Sequence, residues 1–332
     1  PDNVLDAIYR HPCENKPHGF YTRTPYGTVD IVPIEAESQL LDSYQSAAFL
    51  GWNTAEPAQI DKLAEYVQNG GTLLLGWPHL FTDTDRTTAI YGDATPVDKA
   101  SIHKLLGVDF HGFVSAQTPD GTETVLGDIT PVEQVVVRST LNGHPLVLEH
   151  SIGQGKVLFV NLREYPAAKT ARPIYESLLR ELGELGVASQ KERGWITTTD
   201  TVDTGVCDRE NGLRDIYAIN INWWDEQDVP AQATLHFAGN DTAVSISRGV
   251  IHIFTLGKEF GVWTADNDTD VISITETGTD ISVTLQGYGK TCLCFITAQE
   301  ISSDAVPLTK LENGIYSSEI DLYGLQTIRF QK

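Results

Sequence analysis

The chain has 332 residues, of which 41% are hydrophobic and 20% charged, a size that allows two domains with independent cores in an ordinary soluble globular composition. Its net charge of −22 repels phosphate backbones and anionic lipid, so the expectation is no nucleic acid and no membrane partner, with neutral ligands such as carbohydrate left as candidates. No apolar run approaches the roughly 20 residues that span a bilayer, and the N-terminus is no signal peptide; the compartment is not written in a targeting segment, and a cytoplasmic location is the expectation.

Tyr26 to Ile34 alternates and ends in a short strand, and the following ESQLLDSY has helical spacing. Ala47 to Leu80 then spells out a βαβ unit. Ala47–Gly51 and Thr72–Gly76 are short apolar runs suited to strands buried on both faces. Between them Ile60, Leu63, Ala64 and Val67 recur at helical spacing, opposite Asp61, Lys62, Glu65 and Gln68. Asn69, Gly70 and Gly71 supply the conformations that stop the helix and return the chain to the sheet. After His79 the text turns polar and irregular, as befits a long loop at the carboxyl edge of a strand. Lys99 to Leu106 reads as a helix, and residues 134 to 162 as three strands with turns at Asn142-Gly143 and Gly153-Gln154-Gly155. Ile174 to Leu185 closes the domain as an amphipathic helix. The expected first domain, 1–192, is thus a three-layer α/β body, mostly parallel, of the amidotransferase or flavodoxin kind, with an antiparallel extension.

From about Trp195 the period changes to two. Six short alternating runs separated by Gly, Asn and Asp predict an all-β sandwich over 193–332, and the terminal GIYSSEIDLYGLQTIRFQK adds two more strands. The cysteines are Cys13, Cys207, Cys292 and Cys294; the last pair, two apart in a strand, reads as buried structural thiols rather than a metal or redox site. The absence of methionine from 332 residues, with an opening at Pro1, suggests a fragment or a text from which modified methionines were dropped. In the latter case spacings shift by one wherever a methionine is missing.

The sequence LGWNT, then EYVQNGGTLLLGWPHL, then GHPLVLEHSIGQGKVLFVNL and a closing helix is similar to the glutamine-amidotransferase-like module of many glycosidases. It most resembles the trimerisation domain of family 42 β-galactosidases. The match spans about Tyr44 to Leu182, and the motif residues are Tyr66, Val67, Gly70 to Leu73, and Gly153 to Val157. The resemblance implies an accessory domain lying between a catalytic (β/α)8 barrel and a small β domain. The barrel and its two carboxylates have no counterpart in these residues, and neither the Cys elbow nor the His-x-Glu partner of active amidotransferases is found.

Candidate ligand-binding residues follow the strands of the first domain. Trp52 and Asn53 follow one, Trp77 and His79 a second, and Arg163 with Glu164 a third; convergence of parallel strands brings these to one rim. Asp83, Asp85 and Arg86 add titratable groups, and tryptophan faces suit sugar rings. The competing reading is a degenerate pocket with Trp52 and Trp77 as packing and Arg163 to Glu164 as a capping ion pair. Glu35, Glu37, Asp83, Asp85 and Glu164 select no glycosidase pair. His150 and Ser151 lie in a hairpin without a nucleophile elbow, and His144, Glu149 and His150 are a weak metal set. In the β domain Trp224, beside Trp223, Asp225 and Glu226, is a further carbohydrate candidate.

The reading is a non-catalytic C-terminal portion of a carbohydrate-active enzyme, walling the active site of an upstream barrel and mediating homo-oligomerisation, with no cofactor and no metal. The alternatives are a free-standing amidotransferase-fold hydrolase built on the Trp52, His79 and Arg163 rim, and a carbohydrate-binding module without turnover.

Overall fold

The structure is a computed structural model that describes residues 26, 29–51, 54–82, 95–191, 193–198, 202–220, 229–264, 268–311 and 314–332. Strands dominate it and helices are few. From Asp30 onward the chain divides into two compact units, Asp30–Gly186 and Val187–Lys332.

The first unit is built on α1 (Ser38–Asp42), β1 (Ser46–Ala48), α2 (Pro57–Gln68) and β2 (Thr72–Gly76), then α3 (Lys99–Leu106), β3 (Val108–Gln117), β4 (Glu123–Pro131), β5 (Val135–Leu141), β6 (His144–Ile152), β7 (Gly155–Val160) and α4 (Arg172–Lys191). Residues 29 to 33, expected to be extended, form no strand, and a turn at 34–36 leads into α1. The main sheet is five-stranded in the order β1-β2-β7-β6-β5. The expectation of a mostly parallel sheet needs correction: β1, β2 and β7 run parallel, whereas β6 and β5 return antiparallel. Two-residue and glycine turns favour hairpins, and each hairpin reverses the chain. β3 and β4 form a separate hairpin that the sequence reading passed over.

α2 starts where Pro57 fills its first turn and Gln59 Oε1 accepts the Glu56 amide at 3.0 Å. Its apolar stripe, Ile60, Leu63, Ala64 and Val67, joins Leu73, Leu75, Val157 and Phe159 in one buried cluster. β2 is buried along its whole length, as a central strand requires. On α4, the Tyr175 hydroxyl occupies the space beside Gly76 that a side chain there would take.

Two glycine turns meet at the start of the parallel strands. The amide of Gly71 donates to Tyr66 O (3.1 Å), that of Gln154 to Gln68 O (3.2 Å), and that of Lys156 to Gly71 O (3.2 Å). A Cβ on Gly155 would collide with the carbonyls of Gly71 and Val67, both backbone atoms that cannot swing aside. This close approach sets the parallel register Thr72↔Lys156 through Gly76↔Val160.

Beyond the end of α4, the elements of the second unit among the described residues are all strands. Its elements are β8 (Trp195–Thr198), β9 (Val202–Asp208), β10 (Arg214–Asn220), β11 (Ala231–Phe237), β12 (Asn240–Ile246), β13 (Ile251–Leu256), β14 (Phe260–Thr264), β15 (Thr269–Glu276), β16 (Asp280–Thr297), β17 (Thr309–Lys310) and β18 (Ile315–Gln331). A three-stranded sheet, β12-β11-β8, shares a core with an eight-stranded one: Ile196, Leu235, Phe237 and Val244 meet Val202, Ile216, Phe254 and Leu256. That is a β-sandwich.

Two segmentations differ from expectation. The runs DISVTLQGYG and TCLCFITAQ form one continuous strand, β16, and the terminal piece forms one strand, β18, where two were expected. Gly289 and Gly324, with φ of 92° and 86°, bend the pair without breaking its ladder. The bend lets β16 pair with β15 along one half and β14 along the other. The thiols also differ: Cys207 and Cys292 are exposed and Cys294 is half-buried, all three free, because they alternate onto outward strand faces. Cys13 lies outside the described residues.

Gly155→Ala is expected to lower the unfolding free energy by about 1–3 kcal/mol or more, since overpacking against fixed backbone cannot relax. Gly186→Ala, in α4 with nothing within 4 Å of the added carbon, should be neutral or stabilise by up to about 1 kcal/mol. Urea titrations of the two variants read the contrast.

Candidate functional site

The carboxyl end of β2 continues through a tight turn, Trp77–His79. Its indole enters the core instead of the rim. Trp77 is fully buried, in ring contact with Phe110 (4.6 Å), Phe113 (5.3 Å) and Phe159 (5.3 Å), and its face lies where a side chain on Gly127 would stand. No face of that ring is left for a sugar, so Trp77 is a packing residue.

The organiser of this region is Asn161, the residue after β7. It is fully buried. Its Oδ1 accepts from Trp77 Nε1 and from the Gly127 amide (3.0 Å), while Nδ2 donates to Gly127 O (3.0 Å) and Pro145 O (2.7 Å). A single amide thus satisfies polar groups from the turn after β2, from β4 and from β6 in a dry environment, where an unpaired one is costly. The sequence reading placed Asn161 only as the end of an apolar strand. A polar residue closing such a run, VLFVN, was the available signal.

His79 is 2% exposed, with its ring 5.5 Å from that of Phe49. Nδ1 accepts the Gly76 amide at 3.1 Å, so the neutral ring carries its proton on Nε2. Burial holds the imidazole pKa down at about 4, with the Gly51 carbonyl acting in the opposite direction. It is a neutral, enclosed histidine.

Arg163 stretches over aromatic rings, its guanidinium carbon 5.7 Å from the centroid of Phe81 and 5.3 Å from that of Phe113. Its backbone amide donates to Val125 O at 2.9 Å. The neighbouring Glu164 accepts a short hydrogen bond from the Thr124 hydroxyl. Both residues therefore tie the segment after β7 to the β3–β4 hairpin. Trp52, Asn53, Asp83, Asp85, Arg86 and Trp224 lie outside the described residues.

A cavity of about 320 Å³ opens between the β3–β4 turn, the β5–β6 hairpin and the start of α4, with Leu141, Leu146, Leu162 and Ile174 among its lining. At its rim Lys169 pairs with Asp120 at 3.1 Å. Hydrogen bonds from Thr118, Thr122 and Lys169 hold the Asp120 carboxyl well below the usual range. Trp77, His79, Arg163 and Glu164 do not line it. Arg138, the weak-metal candidate Glu149, Lys156 and Glu181 form an ion-pair cluster, and His150 Nδ1 lies 2.9 Å from Leu105 O. Among the described residues no group of His, Cys, Asp or Glu is arranged to hold a metal, and no helix is long and apolar enough to cross a membrane. In the second unit His236 links Asp241 (2.6 Å) and Thr197 (2.8 Å), joining β12, β11 and β8.

No family model and no curated protein matches the chain. Among solved structures it aligns with a β-galactosidase from Bacillus circulans sp. alkalophilus at 14% identity, over 76% of this chain and 36% of that one, with a TM-score of 0.43. A catalytic mutant of a GH42 β-galactosidase from G. stearothermophilus aligns at 11% identity, over 88% and 32%, with a TM-score of 0.34. A β-galactosidase from the haloarchaeon Halorubrum lacusprofundi aligns at 19% identity, over 61% and 30%, with a TM-score of 0.36. The chain spans about a third of the length of each.

Asn161→Ala removes four hydrogen bonds at once and strands their partners, so a loss of about 3 kcal/mol or more is expected in urea unfolding followed by tryptophan fluorescence. The His79 pKa is lowered from 6.5 to about 4 on folding, so the unfolded chain binds the proton that the folded chain refuses. Stability is full above about pH 6.5 and falls as the pH drops toward 4, by roughly 3 kcal/mol across the window. His79→Gln should flatten that slope. His252, likewise depressed by burial, remains in both proteins, so the difference between wild type and variant isolates His79.

Proposed function

We propose that the chain is the non-catalytic C-terminal portion of a carbohydrate-active enzyme of the glycoside hydrolase or phosphorylase type: a three-layer, amidotransferase-like α/β domain followed by a β-sandwich. In this role it walls the active site of an upstream (β/α)8 barrel and mediates self-association. The observation that carries the reading is the meeting of the two motifs on which the family resemblance rests. Val67, Gly70 and Gly71 lie backbone to backbone against Gly155, and Gln68 against Gly153, across 80-odd residues of chain, so both motifs serve one structural joint. A joint of this kind specifies architecture, and architecture alone does not carry chemistry.

The residues that follow the parallel strands support the non-catalytic half of the proposal. They read Phe49-Leu50-Gly51, Trp77-Pro78-His79 and Asn161-Leu162-Arg163. These positions hold the reactive groups in enzymes of this architecture. Here they supply no thiol and no serine, and the one imidazole is enclosed and neutral. Self-association is supported by β5, an edge strand of the main sheet that leaves Val136 59% and Val137 39% exposed.

The purified 332-residue chain is expected to show no turnover of nitrophenyl glycosides or glutamine above a protein-free blank, to sediment as an oligomer, and to be encoded in a reading frame that continues upstream into a barrel. Turnover that disappears in His79→Ala would sink this reading in favour of a free-standing hydrolase.

A further inference from the structure

β16 and β18 bury one face and present the other to solvent. On the inner face Leu285, Leu293, Ile320 and Leu322 belong to the core cluster. On the outer face at the glycine bend three large apolar residues are exposed together: Tyr288 is 78% exposed, Tyr323 71% and Leu325 65%. Tyr288 and Tyr323 are directly paired across the ladder, and Leu325 pairs with Gln286 one step along. The two residues therefore stand on neighbouring strands, their backbones one strand spacing apart, about 4.8 Å.

Both rings are positioned without being covered. The Tyr288 hydroxyl lies 3.7 Å from the point where a Gly324 side chain would begin, so the tip of its side chain reaches toward a position that carries no side chain. Gly324 has a φ of 86°, which keeps that backbone free of a side chain. Tyr323 donates from its hydroxyl to Asp321 Oδ2 at 2.9 Å, which fixes the ring from its edge. Leaving large apolar groups exposed side by side forgoes their burial, and contiguous exposed patches of this kind mark interaction sites.

We propose that the Tyr288–Tyr323 face is a carbohydrate-binding platform for a neutral polysaccharide. A pyranose ring has an apolar C–H face and a rim of hydroxyls. Two exposed phenol rings carried at paired positions of neighbouring strands, with Leu325 beside them, accept the first. Gln286, Lys290 and Asp321, all exposed and on the same outward face, offer donors and acceptors to the second. Charge selects this occupant over others. A chain of net charge −22 repels an anionic polymer, whereas an uncharged polyol meets no such penalty. Binding here requires no upstream catalytic domain, so a failure at this surface leaves the accessory role standing.

The test is native affinity electrophoresis of the full chain in gels containing soluble β-1,4-galactan, galactomannan, xyloglucan or mixed-linkage β-glucan. The wild type is expected to be retarded by at least one of them, and Tyr288→Ala/Tyr323→Ala to bind at least tenfold more weakly with an unchanged circular dichroism spectrum. Tyr323→Phe, which keeps the ring and loses the Asp321 contact, should retain most of the retardation. Mobility unaffected by all four polymers overturns the proposal, as does retardation that survives in the double variant. Sedimentation of both proteins supplies the remaining arm. A sugar-insensitive wild type that dissociates when the two tyrosines are removed would assign the face to self-association instead.

Discussion

Gly155 lies against the carbonyls of Val67 and Gly71 with no room for a side chain, and the next amide, that of Lys156, donates to Gly71. Because these are backbone atoms, the contact fixes where α2 stops and where β7 begins relative to it, more rigidly than side-chain packing does. The parallel pairing of β2 with β7 starts at the following residues, Thr72 and Lys156. A shift of one residue in that register would exchange Leu73 and Leu75 with Leu74, turning the α2-facing leucines to the wrong side of the sheet. Helix, sheet order and core thus depend on Gly155 being bare.

At the opposite end of the same strands the controlling element is polar. Asn161 closes four hydrogen bonds in a region with no access to water, and Trp77 fills the space that Gly127 leaves open. In a three-dimensional sense this end is sealed: the indole is surrounded by phenyl rings, and His79 is enclosed beside Phe49. The arrangement stabilises the carboxyl edge of the sheet and leaves the open volume elsewhere, over Leu141, Leu146, Leu162 and Ile174.

The candidate rim was legible in part. Strand ends are visible in sequence because an apolar run gives way to polar residues, and that placed Trp77, His79 and Arg163 at the carboxyl ends of β2 and β7. Direction was not visible. Whether Trp77 points to solvent or into the core depends on the β3–β4 hairpin, whose Phe110, Phe113 and Gly127 form the receiving pocket and carry no signature near Trp77 in the chain. The same holds for Arg163, whose aromatic partners come from residues 81 and 113.

Local spacing by itself determined the amphipathic helix α2, the glycine stop after it, the β5–β6–β7 turns and the change to period two beyond Trp195, because each is dictated by neighbours within a few residues. Long-range pairing decided the rest: the antiparallel return of β6 and β5, the fusion of four expected strands into β16 and β18, and the burial of Trp77. A positive φ at Gly289 or Gly324 reads in sequence as a strand end. Only the partner across the ladder, paired without a break past both glycines, makes it part of a continuous strand.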